Sequence, residues 1–298
     1  MNIRQLRQFV VLADTLNFRK AAEALHISQP PLSVAIRKLE EDFGTPLFER
    51  STRSVKLTAA GAAVLTDVRK ALLHLDRAKQ RAIEACEGIR GTLRIGSVGS
   101  ATISLIPRLV PSFRSQFPGV EIVIREYPST KIIEEVEKGG LDLGLIRTPI
   151  VGSYDVVSIP MERDKFVAAV PAGHRLSAET SIHLRELSDE AFISYSRGES
   201  TGINFAVANA CQIAGFSPKI VHEATQIQAA ISLVAAGMGV ALVPSLHSQM
   251  KNRHVRFLAI RGRSPALEIG LATIYNSITE TDIGKAFREF CLRLLEKT

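Results

Sequence analysis

The chain has 298 residues, enough for about two domains, and 46% of them are hydrophobic against 22% charged, which excludes a wholly disordered polymer. A formal net charge of +7 points to anionic partners without naming one. Cys86, Cys211 and Cys291 stand too far apart for a disulfide scaffold or a metal-ligand spacing, and no signal-peptide core or membrane-length apolar run is legible, so a cytoplasmic protein is expected. Most of the charge is local: residues 1–90 hold 15 Lys/Arg against 10 Asp/Glu, whereas the remaining chain is nearly neutral. A compact basic module on a larger neutral body reads as a nucleic-acid reader attached to something else; a basic surface with no partner is the plainer alternative.

Leu6, Phe9, Val10, Ala13 and Leu16 recur at helical spacing and predict a first amphipathic helix. Asn17 is placed to cap a second, Phe18 to Leu25, with Phe18, Ala21, Ala22 and Leu25 inward. After a turn at His26 and Ile27, Ser28 is expected to cap a third helix, whose first turn accommodates Pro30 and Pro31 because their missing N–H groups would be unpaired there anyway. Leu32, Ile36, Leu39 and Phe43 form its apolar stripe, while Gln29, Ser33 and Arg37 share another face. Two short helices joined by a tight turn, the second presenting Gln, Ser and Arg, have helix-turn-helix geometry, in which Gln reads adenine and Arg reads guanine or holds phosphate. The stretch LFERSTRSVKLT then reads as strand, turn, strand, a wing whose Arg50 and Arg53 suit the DNA backbone or minor groove. An ordinary helical bundle with solvated polar faces would explain each face singly, but not all of them together with the wing.

The run FRKAAEALHISQPPLSVAIRKLEEDFGTPLFERSTRSVKLTAAG closely resembles the DNA-binding domain of LysR-type transcriptional regulators, through the AA-x-x-L helix, SQPPLS, I-x-x-LE-x-x-x-G, LFER and the LT-x-AG ending. Val34 and Ala35 depart from the Arg or Gln that relatives often carry there, so no relative's base preference transfers. The resemblance implies a winged helix-turn-helix over 1–58, with Gln29, Pro30, Ser33, Arg37, Arg50 and Arg53 at the DNA. It also implies a linker helix over 59–87 through which protomers dimerise, and an effector-binding domain over 91–298. Leu65, Val68, Leu72, Leu75 and Ala82 fit a narrow a/d seam on that linker, which calls for a second helix or for the chain's own body.

Beyond residue 91 short strands alternate with helices, the pattern of an α/β body with mostly parallel sheets. Strands are expected at 93–97, 120–126, 141–146, 166–170, 192–195, 219–223, 240–243 and 267–273, and helices at 103–116, 130–138, 202–214, 227–236 and 283–295. Gly96 and Gly99 do not complete a dinucleotide fingerprint, and neither a P-loop lysine nor a nucleophile elbow is present, so an enzyme is not expected. Hydroxyls recur where helices begin after strands: Ser100 and Thr102, Ser129 and Thr130, Ser200 and Thr201. Each is explained by helix capping alone, yet helix N-termini also favour anions. Arg147, at the C-terminal end of its strand, is the sharper feature, with a salt bridge to Glu126 or Asp142 as its alternative role.

By resemblance the body is two lobes, about 91–162 with 266–298 and about 163–265, crossing near Arg163 and Ser264-Pro265, like a periplasmic solute-binding protein. The expected fold is thus a multidomain α and α/β chain. Its effector is expected to be a small carboxylate between the lobes at Ser100, Thr102, Ser129, Thr130, Arg147, Ser200, Thr201, Gly202 and Gln226. Double-stranded operator DNA, the effector and further copies of the chain, as homodimer and homotetramer, are the expected partners, with RNA polymerase in addition; neither metal nor other cofactor is expected. A solute-binding protein fits the lobes but not the N-terminal reader, and a redox sensor at Cys211 lacks a resolving thiol nearby in sequence.

Overall fold

The computed structural model describes residues 1–50, 54–87, 90–198, 201–249, 252–262 and 264–295, and the chain divides into two compact units, 1–88 and 89–298.

In the first unit, α1 (Ile3–Thr15) is opened by a capping box in which Asn2 and Gln5 satisfy each other's backbone N–H groups. α2 (Phe18–Ala24) is capped by Asn17, whose side chain accepts from the Arg19 and Lys20 amides. Ser28 holds the cap position of α3 (Gln29–Phe43) but makes no capping side-chain bond, so the prolines of the first turn carry the helix start. Leu6, Phe9, Leu12, Ala21, Ala22, Leu32, Ile36 and Leu39 close one core. Leu16, expected on the inner face of α1, is instead exposed and left-handed at the helix end, and Leu12 fills the core in its place.

The wing is the antiparallel pair β1 (Phe48–Arg50) and β2 (Val55–Leu57). Glu40 of α3 fastens it: one carboxylate oxygen accepts the Leu47 and Phe48 amides at 3.0 and 3.1 Å, and the other takes Arg50. Thr58 caps α4 (Ala59–Glu87), accepting the Gly61 amide while donating to the Pro46 carbonyl. The start of α4 packs on its own domain. Val68 is buried in the core with Leu65 and Leu72 half-buried against it, and Arg7 pairs with Asp76 at 2.7 Å. Of the described seam residues only Leu75 is exposed, because α1 covers the others' flank.

The second unit begins with β3 (Gly91–Ser97), α5 (Gly99–Gln116), β4 (Val120–Glu126), α6 (Ser129–Glu137) and β5 (Leu143–Thr148). Then come β6 (Val157–Pro171), β7 (Ser181–Ile182), β8 (Ala191–Tyr195), α7 (Thr201–Ile213), β9 (Lys219–Ala224), α8 (Ile227–Ala235) and β10 (Ala241–Pro244). A 3-10 turn at Ser245–Gln249 leads to β11 (Val255–Ile260), β12 (Glu268–Tyr275) and α9 (Asp282–Leu295). One sheet runs β4-β3-β5-β12-β6-β11-β7, with β10 also on β6, while β8 and β9 pair separately.

The sheet is mixed, which corrects the expectation of mostly parallel strands. β3 runs parallel to β4 and β5, but β12 is antiparallel to both β5 and β6, and β10 and β11 are antiparallel to β6. The cause is the two-lobed path: β6 leaves the first lobe and β12 returns to it, so the two crossing strands must oppose each other. β6 pairs with β12 through Lys165 and with β10 and β11 from Phe166 onward, which puts the change of lobe there. Each lobe has its own apolar core, one around Leu93, Leu143, Phe113 and Phe287 and the other around Phe166, Phe192, Tyr195 and Leu242. In the first, Phe113 meets Phe287 and Phe290 edge-on, which docks α9 against α5.

Candidate functional site

The exposed side of α3 carries Gln29, Pro30 and Arg37, with Ser33 half-buried among them. These residues share a helix that is fixed by its buried stripe, so they form one polar surface. Arg50 is held otherwise: one guanidinium nitrogen is committed to Glu40 and its face lies 5.3 Å from the Phe18 ring. It braces the wing against α2 and α3, which reduces its freedom to reach phosphate. Arg53 lies outside the described residues. Val34, one of the two departures from the family pattern, is 65% exposed beside Ser33. An apolar group on such a face is suited to a thymine methyl.

Between the lobes of the second unit lies a cleft of about 290 Å³. The first turns of four helices reach it: α5 at Gly99 and Ser100, α6 at Ser129 and Thr130, α7 at Gly202 and Ile203, and α8 at Ile227 and Gln228. None has an acidic residue in its first turn, and the cap residues Val98, Pro128 and Gln226 make no capping side-chain bond. Their positive dipole ends therefore favour an anion. The structure brings Ser100, Thr102, Ser129, Thr130, Arg147, Gly202 and Gln226 to this one cleft. Ser200 lies outside the described residues, and Thr201 is described only as the first residue of α7.

Not all of these side chains are turned to the cavity. The Thr102 hydroxyl donates to Ser97 at 3.0 Å, and Ser129 accepts the Arg147 amide at 3.3 Å, so both also bind helix to strand. Gly202 is dictated by closeness: a Cβ there would lie 2.5 Å from the Pro149 carbonyl oxygen of the opposite lobe. The strand expected at 192–195 contributes Tyr195, whose hydroxyl is tied to the Leu242 carbonyl at 3.0 Å.

Arg147 is 6% exposed, yet both terminal nitrogens lack a hydrogen-bond partner among the described residues. Neither carboxylate considered from sequence engages it: Asp142 takes the Arg94 amide at 2.7 Å and the Thr281 hydroxyl at 3.0 Å, and Glu126 stands beside Gly99. Burial draws the guanidinium down to about 10, against the opposing pull of Tyr195 and Asp164. An unpaired buried cation of this kind is strongly disfavoured unless something anionic joins it.

His247 was not identified from sequence. It is 3% exposed, and its Nε2 lies 3.0 Å from the Ser100 hydroxyl, 147 residues away and on the other lobe, while Nδ1 has no partner among the described residues. Burial, reinforced by the charge of Arg147, holds its pKa down at about 4 despite Asp164, so the ring is neutral at pH 7. Because the folded value lies below the unfolded one, this group's stabilisation is present above about 6.5 and is lost as pH falls through 4. His247→Asn should flatten the acid limb of stability between those pH values by up to about 3 kcal/mol, read from denaturant melts at stepped pH. An unchanged acid limb would mean that other groups set it.

Cys211 and Cys291 are buried thiols pushed up to about 12 by desolvation, which disfavours the reactive thiolate. Among the described residues no cluster of His, Cys, Asp or Glu is suited to a metal ion, and no helix is long and apolar enough to cross a membrane.

Comparison with known proteins agrees with both units. Residues 3–62 match the pattern of the bacterial regulatory helix-turn-helix protein, lysR family, and residues 87–295 match that of the LysR substrate binding domain. The chain is 37% identical over 258 residues to the HTH-type transcriptional regulator AlsR of Bacillus subtilis, covering 86% of this chain and 85% of that protein. It is 35% identical over 272 residues to the Hca operon transcriptional activator HcaR of Escherichia coli, covering 91% of each. Among solved structures, full-length CbnR complexed with its target DNA superposes with a TM-score of 0.70 at 25% identity, covering 98% of this chain and 99% of that one.

Proposed function

The chain belongs to the LysR family of DNA-binding transcriptional regulators, and on that premise we propose that a small carboxylate in the interlobe cleft sets its activity. The observation that carries this reading is Arg147: a buried guanidinium with two nitrogens unpartnered among the described residues, in a cleft where four helix N-termini converge. A carboxylate supplies the missing charge through charge-assisted, bidentate hydrogen bonds. Ser100, Thr102, Ser129, Thr130, Ser200, Thr201, Gly202 and Gln226 would surround it from both lobes. Binding then biases the protein only as far as the ligand prefers one lobe arrangement over another.

At the reader, Gln29, Ser33 and Arg37 would contact base edges and the wing would follow the backbone. A homodimer through α4, with Leu75 as its exposed apolar anchor, would present two readers to an inverted repeat, and effector domains would extend it to a tetramer. RNA polymerase would be a further partner of the assembled complex.

Selection of sites from a random duplex library, followed by footprinting with and without small organic acids, tests the reading. The expected site is an interrupted inverted repeat whose affinity falls steeply with salt. Gln29→Ala should relax preference at one base pair by about 1–3 kcal/mol, while at least one carboxylate changes the footprint. Failure to enrich any sequence rejects the reader assignment, and a footprint indifferent to every acid rejects the carboxylate.

A further inference from the structure

The cleft is uneven in charge. Among the described residues that line it, Arg147 is the one permanent cation and Glu126 the one carboxylate. Glu126 is exposed on the wall of the first lobe, its Oε1 3.3 Å from where a Cβ on Gly99 would lie. The facing wall offers Ile203, Gln226, Ile227 and Gln228, which are apolar or polar without charge. Deep in the cleft, two side chains have polar atoms that are buried and, among the described residues, unpartnered: Arg147 and His247, each more than nine-tenths buried.

Resting on the carboxylate reading above, we propose that the cleft selects a monocarboxylate, whose charged end is shared by the Arg147 guanidinium and Nδ1–H of His247 while Glu126 turns away a second carboxylate. An anion beside Arg147 needs donors, so the His247 proton belongs on Nδ1, and Nε2 accepts from the Ser100 hydroxyl across the lobes. His247 is neutral at pH 7 and therefore adds a hydrogen bond without adding charge. A single negative charge then neutralises Arg147. A second would meet Glu126 and a wall of uncharged residues, where its lost hydration is not replaced. His247 also joins ligand and lobes: the ring that binds the anion on one edge holds Ser100 of the other lobe on its opposite edge.

Calorimetric titration and thermal melting of the full-length protein with skeleton-matched acids test this: butyrate against succinate, and benzoate against terephthalate. The expected result is that a monoacid binds and its diacid counterpart binds at least tenfold more weakly. Glu126→Gln should narrow that gap about threefold without weakening the monoacid. His247→Gln keeps reach toward Ser100 but loses the donor at the Nδ1 position, and should weaken the monoacid about tenfold. His247→Asn, whose amide N–H sits near that position, should restore most of the affinity, which a merely structural role would not produce. A diacid that binds wild type as tightly as its monoacid overturns the proposal and leaves the carboxylate reading standing, and this comparison needs no variant to fold. Binding of no acid in the set, or unchanged monoacid binding by Arg147→Met, overturns the carboxylate reading and the proposal with it.

Discussion

Arg147→Met is expected to make the ligand-free protein more stable and at the same time deaf to its effector. Methionine fills much of the same volume and is at home among Ile133, Pro149 and Tyr195, but it removes a charge that is desolvated with its terminal nitrogens unpartnered among the described residues. The guanidinium is drawn down to about 10, below its unfolded value, so at neutral pH the folded state bears the whole penalty of the charged form. That penalty has a ceiling of about 3 kcal/mol, and relief of even a third of it would raise the melting temperature by ~2–4 °C for a domain of this size. The same change should lower carboxylate affinity by ~100-fold, since a buried charge-assisted bidentate contact is lost. Thermal melts with and without acid read both effects. A variant less stable than wild type would show that Arg147 supports the fold rather than a ligand, and one that shifts with acid as wild type does would overturn the carboxylate reading.

The divergence between these two effects reflects how a binding site departs from the rules that build a fold, and the same divergence explains what could be read from sequence. Asn17, the Leu32-Ile36-Leu39 stripe and the strands β3 and β4 are local matters of capping and periodicity, and the structure has them where the residues put them. The first half of β6, Val157–Lys165, was missed because its sequence is charged and interrupted by Pro160; only pairing with β12 makes it a strand. β11 was also missed, although its sequence is mostly apolar; β6 and β7 complete it from far along the chain. Strand direction followed from the lobe crossings and not from any local pattern.

In the candidate site, Arg147 was legible because a cation at a strand's C-terminal end is a local anomaly. His247 carried no such mark. It stands in a short turn after β10 and acquires its meaning only when Ser100, 147 residues earlier, closes on it. Leu72 and Val68 show the converse. Their heptad spacing is read most simply as an intermolecular seam, yet the reader's own core takes Val68 completely and Leu72 in part. A dimer-breaking substitution therefore belongs at Leu75, where it does not also unfold the reader.

Gly61→Ala is expected to unravel the reader while leaving the effector domain intact. This glycine ends the LT-x-AG run and is buried where α4 passes beneath the wing: an added Cβ would lie 2.1 Å from the Leu47 carbonyl oxygen and 2.9 Å from Leu57 Cδ2. The Leu47 oxygen cannot simply retreat, because it accepts the Thr58 amide at 3.0 Å, and the Leu47 amide is itself held by Glu40. Making room thus breaks the Thr58 cap, the Glu40 clasp or both, at a cost of about 3 kcal/mol or more. Gly44 provides the contrast. It ends α3 at φ +69 with nothing within 4 Å of an added Cβ, so Gly44→Ala meets only backbone strain, ~1 kcal/mol. Hydrogen exchange resolved along the chain separates the two. In Gly61→Ala, protection over residues 3–57 should fall roughly a hundredfold with specific DNA binding, whereas residues 91–295 stay as in wild type. Gly44→Ala should lose only a few-fold in the same segment. Equal protection in both variants would mean that the α4 passage is not what holds the wing against α3.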